Sequence, residues 1–199
     1  MKTFGMLCAL LAGALLAGQA QAQAPGQGYY MGLGYGSVWS NGGSFFPNTI
    51  NEDTVSGGRI VAGYMQDDRW GMEIGLHHLG EYEVFLLGTK TDEFKTTAVS
   101  VAGVMSVPVA TGYFFNVRLG LAFTEAKYDC IVGCGVAPFV DTKKRGTSGM
   151  IGLGVGARLT QALSMRIDFD HFGDVRHAVG NNEYKESYDV LTVNLLVQF

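Results

Sequence analysis

The sequence predicts an all-β fold, an eight-stranded antiparallel up-and-down transmembrane β-barrel, from three observations. First, residues 188–199 read YDVLTVNLLVQF, which puts Leu191, Val193, Leu195, Val197 and Phe199 on one face of a strand. Val190, Thr192, Asn194, Leu196 and Gln198 take the other face, so one side is continuously apolar and the other mixed. Second, similar segments recur along the chain, separated alternately by long polar loops and short turns. Third, charged residues make up only 16% of the 199, and 29 glycines stand against 4 prolines. Strands with a lipid-facing side must close into a barrel, because an open edge leaves backbone N–H and C=O groups unpaired in hydrocarbon.

The N-terminus reads as an export signal. Lys2 supplies positive charge, residues 4–18 are apolar, and Ala20-Gln21-Ala22 is a small-residue cleavage site. The apolar run is shorter than the ~20 residues a spanning helix needs. Residues 1–22 are therefore expected to leave, taking Cys8 with them, and 23–199 to form a single barrel domain.

The strands are expected at 28–39, 57–65, 70–79, 95–107, 113–124, 147–159, 163–172 and 188–199. Each has the ~9 to 11 residues that a tilted spanning strand requires, or slightly more. In the first, Tyr29, Met31, Leu33 and Tyr35 share the outer face, with glycines on the inner one. Ile60, Ala62 and Tyr64 continue that outer face, followed by Trp70, Met72, Ile74 and Leu76. Val99, Val101, Met105 and Val107 come next, and then Phe115, Val117, Leu119, Leu121 and Phe123.

Residues 66–69, 108–112 and 160–162 form short turns, and 40–56, 80–94, 125–146 and 173–187 form long loops. Short turns inside, long loops outside and an even strand count leave both termini in the periplasm. Aromatics fall near the strand ends, as interfacial girdles do: Tyr29, Tyr64, Trp70, Tyr113 and Phe199 by the turns, Trp39, Phe123, Phe169 and Tyr188 by the loops. A soluble ligand-binding barrel would reverse the pattern; here the inward set reads as glycine, alanine, serine and charge.

Four stretches carry a family likeness. They are residues 72–80 (MEIGLHHLG), Val107-Pro108-Val109 leading to Val117-Arg118-Leu119-Gly120, Gly154-Val155-Gly156, and Arg166-Ile167-Asp168-Phe169-Asp170. In order, from Gly28 to Phe199, the chain resembles the transmembrane barrel of the outer-membrane protein A family. The resemblance implies a polar, salt-bridged interior, variable surface loops that often serve adhesion, and recognition of the terminal aromatic, Phe199, by the barrel-assembly machinery. Glu73 and Arg166 match positions of that family's lumen network. Val104 and Gly156 stand where it carries further charged residues, so its gating is not carried over. The chain ends at the last strand, so a peptidoglycan-binding domain is not expected.

The inward charges are Glu73, Arg118, Arg158, Arg166, Asp168 and Asp170, with Arg59 and His77 as possible additions. Isolated charges in a narrow lumen cost several kcal/mol each, so mutual pairing is close to obligatory. The network reads either as a structural plug or as a regulated ion path. An eight-stranded barrel encloses space that side chains largely fill.

Signals of catalysis are weak. Gly152-Leu153-Gly154-Val155-Gly156 lacks the spacing and the helix of a nucleotide loop and fits a lumen-facing row of glycines. Asp168, Asp170 and His171 have no serine beside them of the kind lipid A deacylases use, and His77-His78 point to opposite faces. No enzyme activity, cofactor or metal site is expected. Cys130 and Cys134, in a loop facing an oxidising compartment, are expected to form a disulfide. The Lys143-Lys144-Arg145 run at the outer rim is a candidate contact for lipopolysaccharide phosphates.

With a formal net charge of -4, nucleic acid is not a partner. The expectation is a monomeric integral protein of the Gram-negative outer membrane, surrounded by lipid and lipopolysaccharide. Its role would lie in envelope integrity and in loop contacts with host or surface ligands. A minor channel for ions or small solutes is the alternative, followed by a lipid-modifying enzyme.

Overall fold

The computed structural model describes residues 27–41, 54–86, 89–130, 142–179 and 182–199. The expected signal, 1–22, lies outside them, as do Cys134 and the side chain of Cys130. Eight strands follow one another: β1 (Gly28–Ser40), β2 (Thr54–Met65), β3 (Trp70–Leu86), β4 (Thr89–Ala110), β5 (Tyr113–Cys130), β6 (Thr142–Arg158), β7 (Leu163–Val179) and β8 (Asn182–Gln198). They form a closed barrel in chain order, every neighbour antiparallel. Closure is made by β1 and β8, in register from Tyr30 opposite Gln198 to Ser40 opposite Tyr188. Just past β8, Phe199 N donates to Tyr29 O at 2.9 Å and adds one more bond to the seam.

Period-two alternation sets the two faces. Leu33, Ile60, Leu76, Val99 and Phe123 stand directly opposite one another from strand to strand, all exposed on the outer wall. The described turns are built from short polar side chains. Asp67 Oδ1 accepts from the N–H groups of Arg69 and Trp70, and Thr160 Oγ1 from those of Ala162 and Leu163. Gly112, at φ 79°, takes the left-handed conformation that the β4–β5 turn requires.

The strands are longer than the sequence suggests at the loop end, which corrects three of the expected loops. Most of 80–94 is a β3–β4 hairpin, most of 173–187 is a β7–β8 hairpin, and β5 and β6 stay paired out to Tyr128 opposite Thr142. The physical reason is a change of solvent. Beyond the bilayer the outer face is wet, so Lys95, Thr97, Glu125 and Lys127 replace apolar residues outside, while Tyr82, Ala98, Ala126 and Tyr128 remain buried inside. An outward apolar period therefore ends at the membrane, but the strand does not. Register shifts between His78 and Glu81, where Gly80 adopts φ 101°, and between Phe172 and Val175 mark where the extensions bend away. Pairing of β2 with β3 stops at Gly58 opposite His78, and that of β6 with β7 at Met150 opposite Phe172. The other ladders continue farther, so β3–β6 and β7–β8 rise above the barrel as separate sheets.

Apolar clusters flank the charges of the lumen and correct the expected inward set. Tyr30, Val61 and Leu196, with Met65 against them, pack at the turn end; nearer the loops lies a larger cluster of Val38, Val55, Leu79, Tyr82, Phe172 and Val175 with their neighbours. Tyr188 belongs to this cluster. It is 1% exposed and faces inward, so it is not part of an interfacial girdle.

Candidate functional site

Six charged side chains meet in the lumen. Arg59 enters from β2, Glu73 from β3, Arg118 from β5, and Arg166, Asp168 and Asp170 from β7, each at most 3% exposed. Arg59 reaches Glu73 at 2.6 Å, Asp170 at 2.7 Å and Asp168 at 3.2 Å. Arg118 holds Asp168 and Asp170, both at 2.8 Å. Arg166 closes the ring on Glu73 at 2.8 Å and Asp168 at 2.7 Å. Three guanidinium groups thus meet three carboxylates, a neutral set in which every member has at least two ionic partners. Such mutual satisfaction is what makes buried charge tolerable.

Neutral donors and acceptors extend the cluster, although Arg59 Nε, Asn116 Nδ2, Asp168 Oδ1 and Asn194 Oδ1 have no hydrogen-bond partner among the described residues. Tyr30 Oη donates to Glu73 Oε2 at 2.9 Å, Asn194 Nδ2 to Asp168 Oδ2 at 2.9 Å, and Arg118 Nη1 to Asn116 Oδ1 at 3.2 Å. Tyr30, Asn116 and Asn194 were not singled out in the sequence. The available signal was their phase, since all three alternate with lipid-facing neighbours.

The β6 wall explains the glycine row. A methyl group on Gly152 would run into Asp170 Oδ1 and the Arg118 guanidinium, and one on Gly154 into Asp168 Oδ1 and the Asn116 amide. The charges occupy the volume that β6 side chains would otherwise fill.

Arg158 corrects the expected network. It shares the inward phase of Gly152 and Gly154, but it ends β6, is exposed, and takes no part in the cluster. It lines a small cavity of about 70 Å³ at the turn end of the lumen, with Asn116, Ser164 and Arg166. Val104, inward and 3% exposed, borders the same space. A pocket of about 960 Å³ touches the wall higher up, lined by outward Leu33, Ile60, Leu76, Val99 and Phe123 and by inward Arg59, His77 and Ala98.

His77 does not join the ion pairs. Its Nε2 lies 2.8 Å from Ser100 Oγ, and its ring meets Phe172 edge-on with centroids 5.0 Å apart. His77 and Ser100 are both buried, between the charges and the loop-end apolar cluster. His171 points outward instead and lies 2.7 Å from Asp189, to which Asn41 is also hydrogen-bonded.

The basic run belongs to a strand, not to a loop. Lys143 and Arg145 face outward on β6 and share Glu125, at 2.6 and 2.9 Å, while Lys144 takes the opposite face. These two cations hold the exposed Glu125 carboxyl below the usual glutamate range, the Lys143 hydrogen bond foremost.

Comparison with known proteins agrees with this architecture. The family model described as outer membrane protein beta-barrel domain matches residues 8–199. No curated protein sequence matches the chain. Among solved structures, Neisserial surface protein A is similar with a TM-score of 0.62 at 12% identity, over 86% of this chain and 97% of that one. OprG of Pseudomonas aeruginosa is similar with a TM-score of 0.59 at 16% identity, over 89% and 97%. Ail of Yersinia pestis, the attachment invasion locus protein, is similar with a TM-score of 0.52 at 11% identity, over 85% and 99%. At such identities the solved structures speak for the fold, and the family match speaks for kinship. The chain belongs to the outer-membrane protein β-barrel family, built as a closed eight-stranded barrel of the outer-membrane protein A kind.

Proposed function

We propose that this protein is a structural component of the outer membrane, with a sealed lumen and its working surface outside. In this reading the barrel supports envelope integrity, and the β3–β6 and β7–β8 extensions with their loops contact lipopolysaccharide, host or surface ligands. The observation that carries the reading is the neutral cluster of Arg59, Arg118 and Arg166 with Glu73, Asp168 and Asp170. A conducting path needs mobile or solvated charge along its length. These six groups instead satisfy one another across the lumen, beneath a packed apolar layer of Val38, Leu79 and Phe172, each 0% exposed.

The test is a deletion strain complemented with the unmodified gene. Loss of the protein is expected to raise uptake of a hydrophobic fluorescent dye and sensitivity to bile-type detergent, and complementation to reverse both. Unchanged dye uptake and detergent resistance in the deletion strain would count against an envelope role.

A further inference from the structure

Above the lipid-facing band, the outer wall carries cations in an ordered row. Lys95 of β4 stands directly opposite Lys127 of β5, and Lys127 directly opposite Lys143 of β6. Side chains paired in this way sit about 5 Å apart, and like charges so placed repel one another. Arg145 lies two residues nearer the membrane on the same face of β6, opposite Glu125. Carboxylates offset the repulsion: Glu81 at 3.0 Å from Lys95, Asp129 at 2.7 Å from Lys127, and Glu125 shared by Lys143 and Arg145. These are open pairs, with the four cations between 46% and 76% exposed, the class of ion pair that water and other anions exchange readily.

The order of rows across the wall is informative. Val99 and Phe123 stand opposite each other at the top of the apolar band, with Thr147 beside Phe123 on β6, followed outward by Thr97, Glu125 and Arg145, and then by the three lysines. Glu93 and Asp129, opposite each other, come next. The cationic row is thus bounded by negative charge on the side away from the membrane. Toward the membrane it meets Glu125, which two cations already share, and on β3 the row ends at Glu81, opposite Lys95. Val99, Phe123, Glu125, Arg145 and Thr147 also line the pocket of about 960 Å³.

We propose that Lys95, Lys127, Lys143 and Arg145 form a docking row for the phosphate groups of a phosphorylated glycolipid of the outer leaflet, with its acyl chains against the apolar band below. The vertical order of the wall, apolar then cationic, matches that of such a lipid. Arginine adds paired donors suited to phosphate oxygens, and the lysines add compact charge. Displacing Glu81, Asp129 and Glu125 from exposed pairs costs little, whereas a multiply charged phosphate lipid relieves the repulsion along the whole row at once.

The proposal rests on the outer-membrane reading but not on any envelope phenotype, so it is tested on the purified full-length barrel in detergent. Native mass spectrometry would compare diphosphorylated lipid A, the same lipid after dephosphorylation, and inorganic phosphate. The row predicts that the diphosphorylated lipid binds at least about tenfold tighter than the dephosphorylated one and that equimolar inorganic phosphate does not displace it. The preference should vanish in the Lys127→Gln, Lys143→Gln, Arg145→Gln triple variant and survive in Lys127→Arg, Lys143→Arg. Equal binding of the two lipids would overturn the proposal, as would displacement by inorganic phosphate or an undiminished preference in a folded triple variant. Should that variant not fold, the lipid comparison on the unmodified chain still decides.

Discussion

Arg166 Nη2 and Glu73 Oε2 lie 2.8 Å apart, although they descend from β7 and β3, which stand opposite each other in a ring of eight strands. The bridge therefore crosses the lumen, tying walls that share no backbone hydrogen bond. Arg59 strengthens the tie, reaching from β2 to Glu73 and to both aspartates of β7.

Removing one partner leaves the cluster unbalanced in charge. Arg166→Ala leaves Glu73 buried with less compensating charge and is expected to destabilise the barrel by about 3 to 5 kcal/mol, less where Arg59 compensates. The double variant with Glu73→Ala is expected to cost less than the sum of the single changes. Urea unfolding of the purified barrel, followed by heat-modifiability on gels, measures both; strictly additive losses would contradict the pairing.

Gly152 and Gly154 are expected to resist substitution, because their missing side chains make room for Asp170, Arg118 and Asp168. Gly152→Ala should destabilise by about 1 to 3 kcal/mol through overpacking, and Gly154→Val by more. Gly149, whose Cβ position is open, provides the control, and Gly149→Ala should unfold near the unmodified midpoint.

These glycines show what the sequence reveals and what it conceals. Leu191 to Phe199 and Phe115 to Phe123 give strand, face and barrel directly, because lipid imposes a period of two on the outer wall. Inward phase likewise marked Glu73, Arg118, Arg166, Asp168 and Asp170, which the structure brings together. It misplaced Arg158, because phase gives the face of a residue but not its depth, and Arg158 lies beyond the cluster at the strand end. Arg59, a possible addition in the sequence, proves central, since only tertiary packing decides which carboxylates it reaches. The apolar upper lumen went unread because Tyr82, Phe172 and Tyr188 lie in segments where the outer wall is already polar and the alternation of hydropathy reverses.

Phe199 is expected to matter for assembly. Its amide closes the β1–β8 seam on Tyr29, and its ring is partly exposed on the outer wall. Replacement by alanine, or its removal, should lower the amount of heat-modifiable, protease-resistant protein in the outer membrane. Normal levels would contradict an assembly role.

Cys130 ends β5, and Cys134 lies outside the described residues. A disulfide between them is expected to protect both from an impermeant maleimide on intact, unreduced cells, with labelling appearing after reduction. Labelling at both positions without reduction would rule it out.

Glu125 gives a pH signature outside the membrane. Because Lys143 and Arg145 hold its carboxyl below the usual glutamate range, its contribution to the β5–β6 extension is present above that range and lost as pH falls through the lowered value. Carboxyl NMR titration should find Glu125 below an ordinary glutamate, rising toward the usual range in Lys143→Ala, Arg145→Ala. An unchanged titration in the variant would remove the assigned cause.

The sealed lumen is tested most directly by single-channel recording of the purified, unmodified protein in planar bilayers. The neutral ion cluster and the packed apolar layer above it predict only small or rare openings, with conductance increasing when Arg59, Arg118 and Arg166 are replaced together by alanine in a variant that still inserts. A large, steady conductance from the unmodified barrel would contradict the plug and favour a channel.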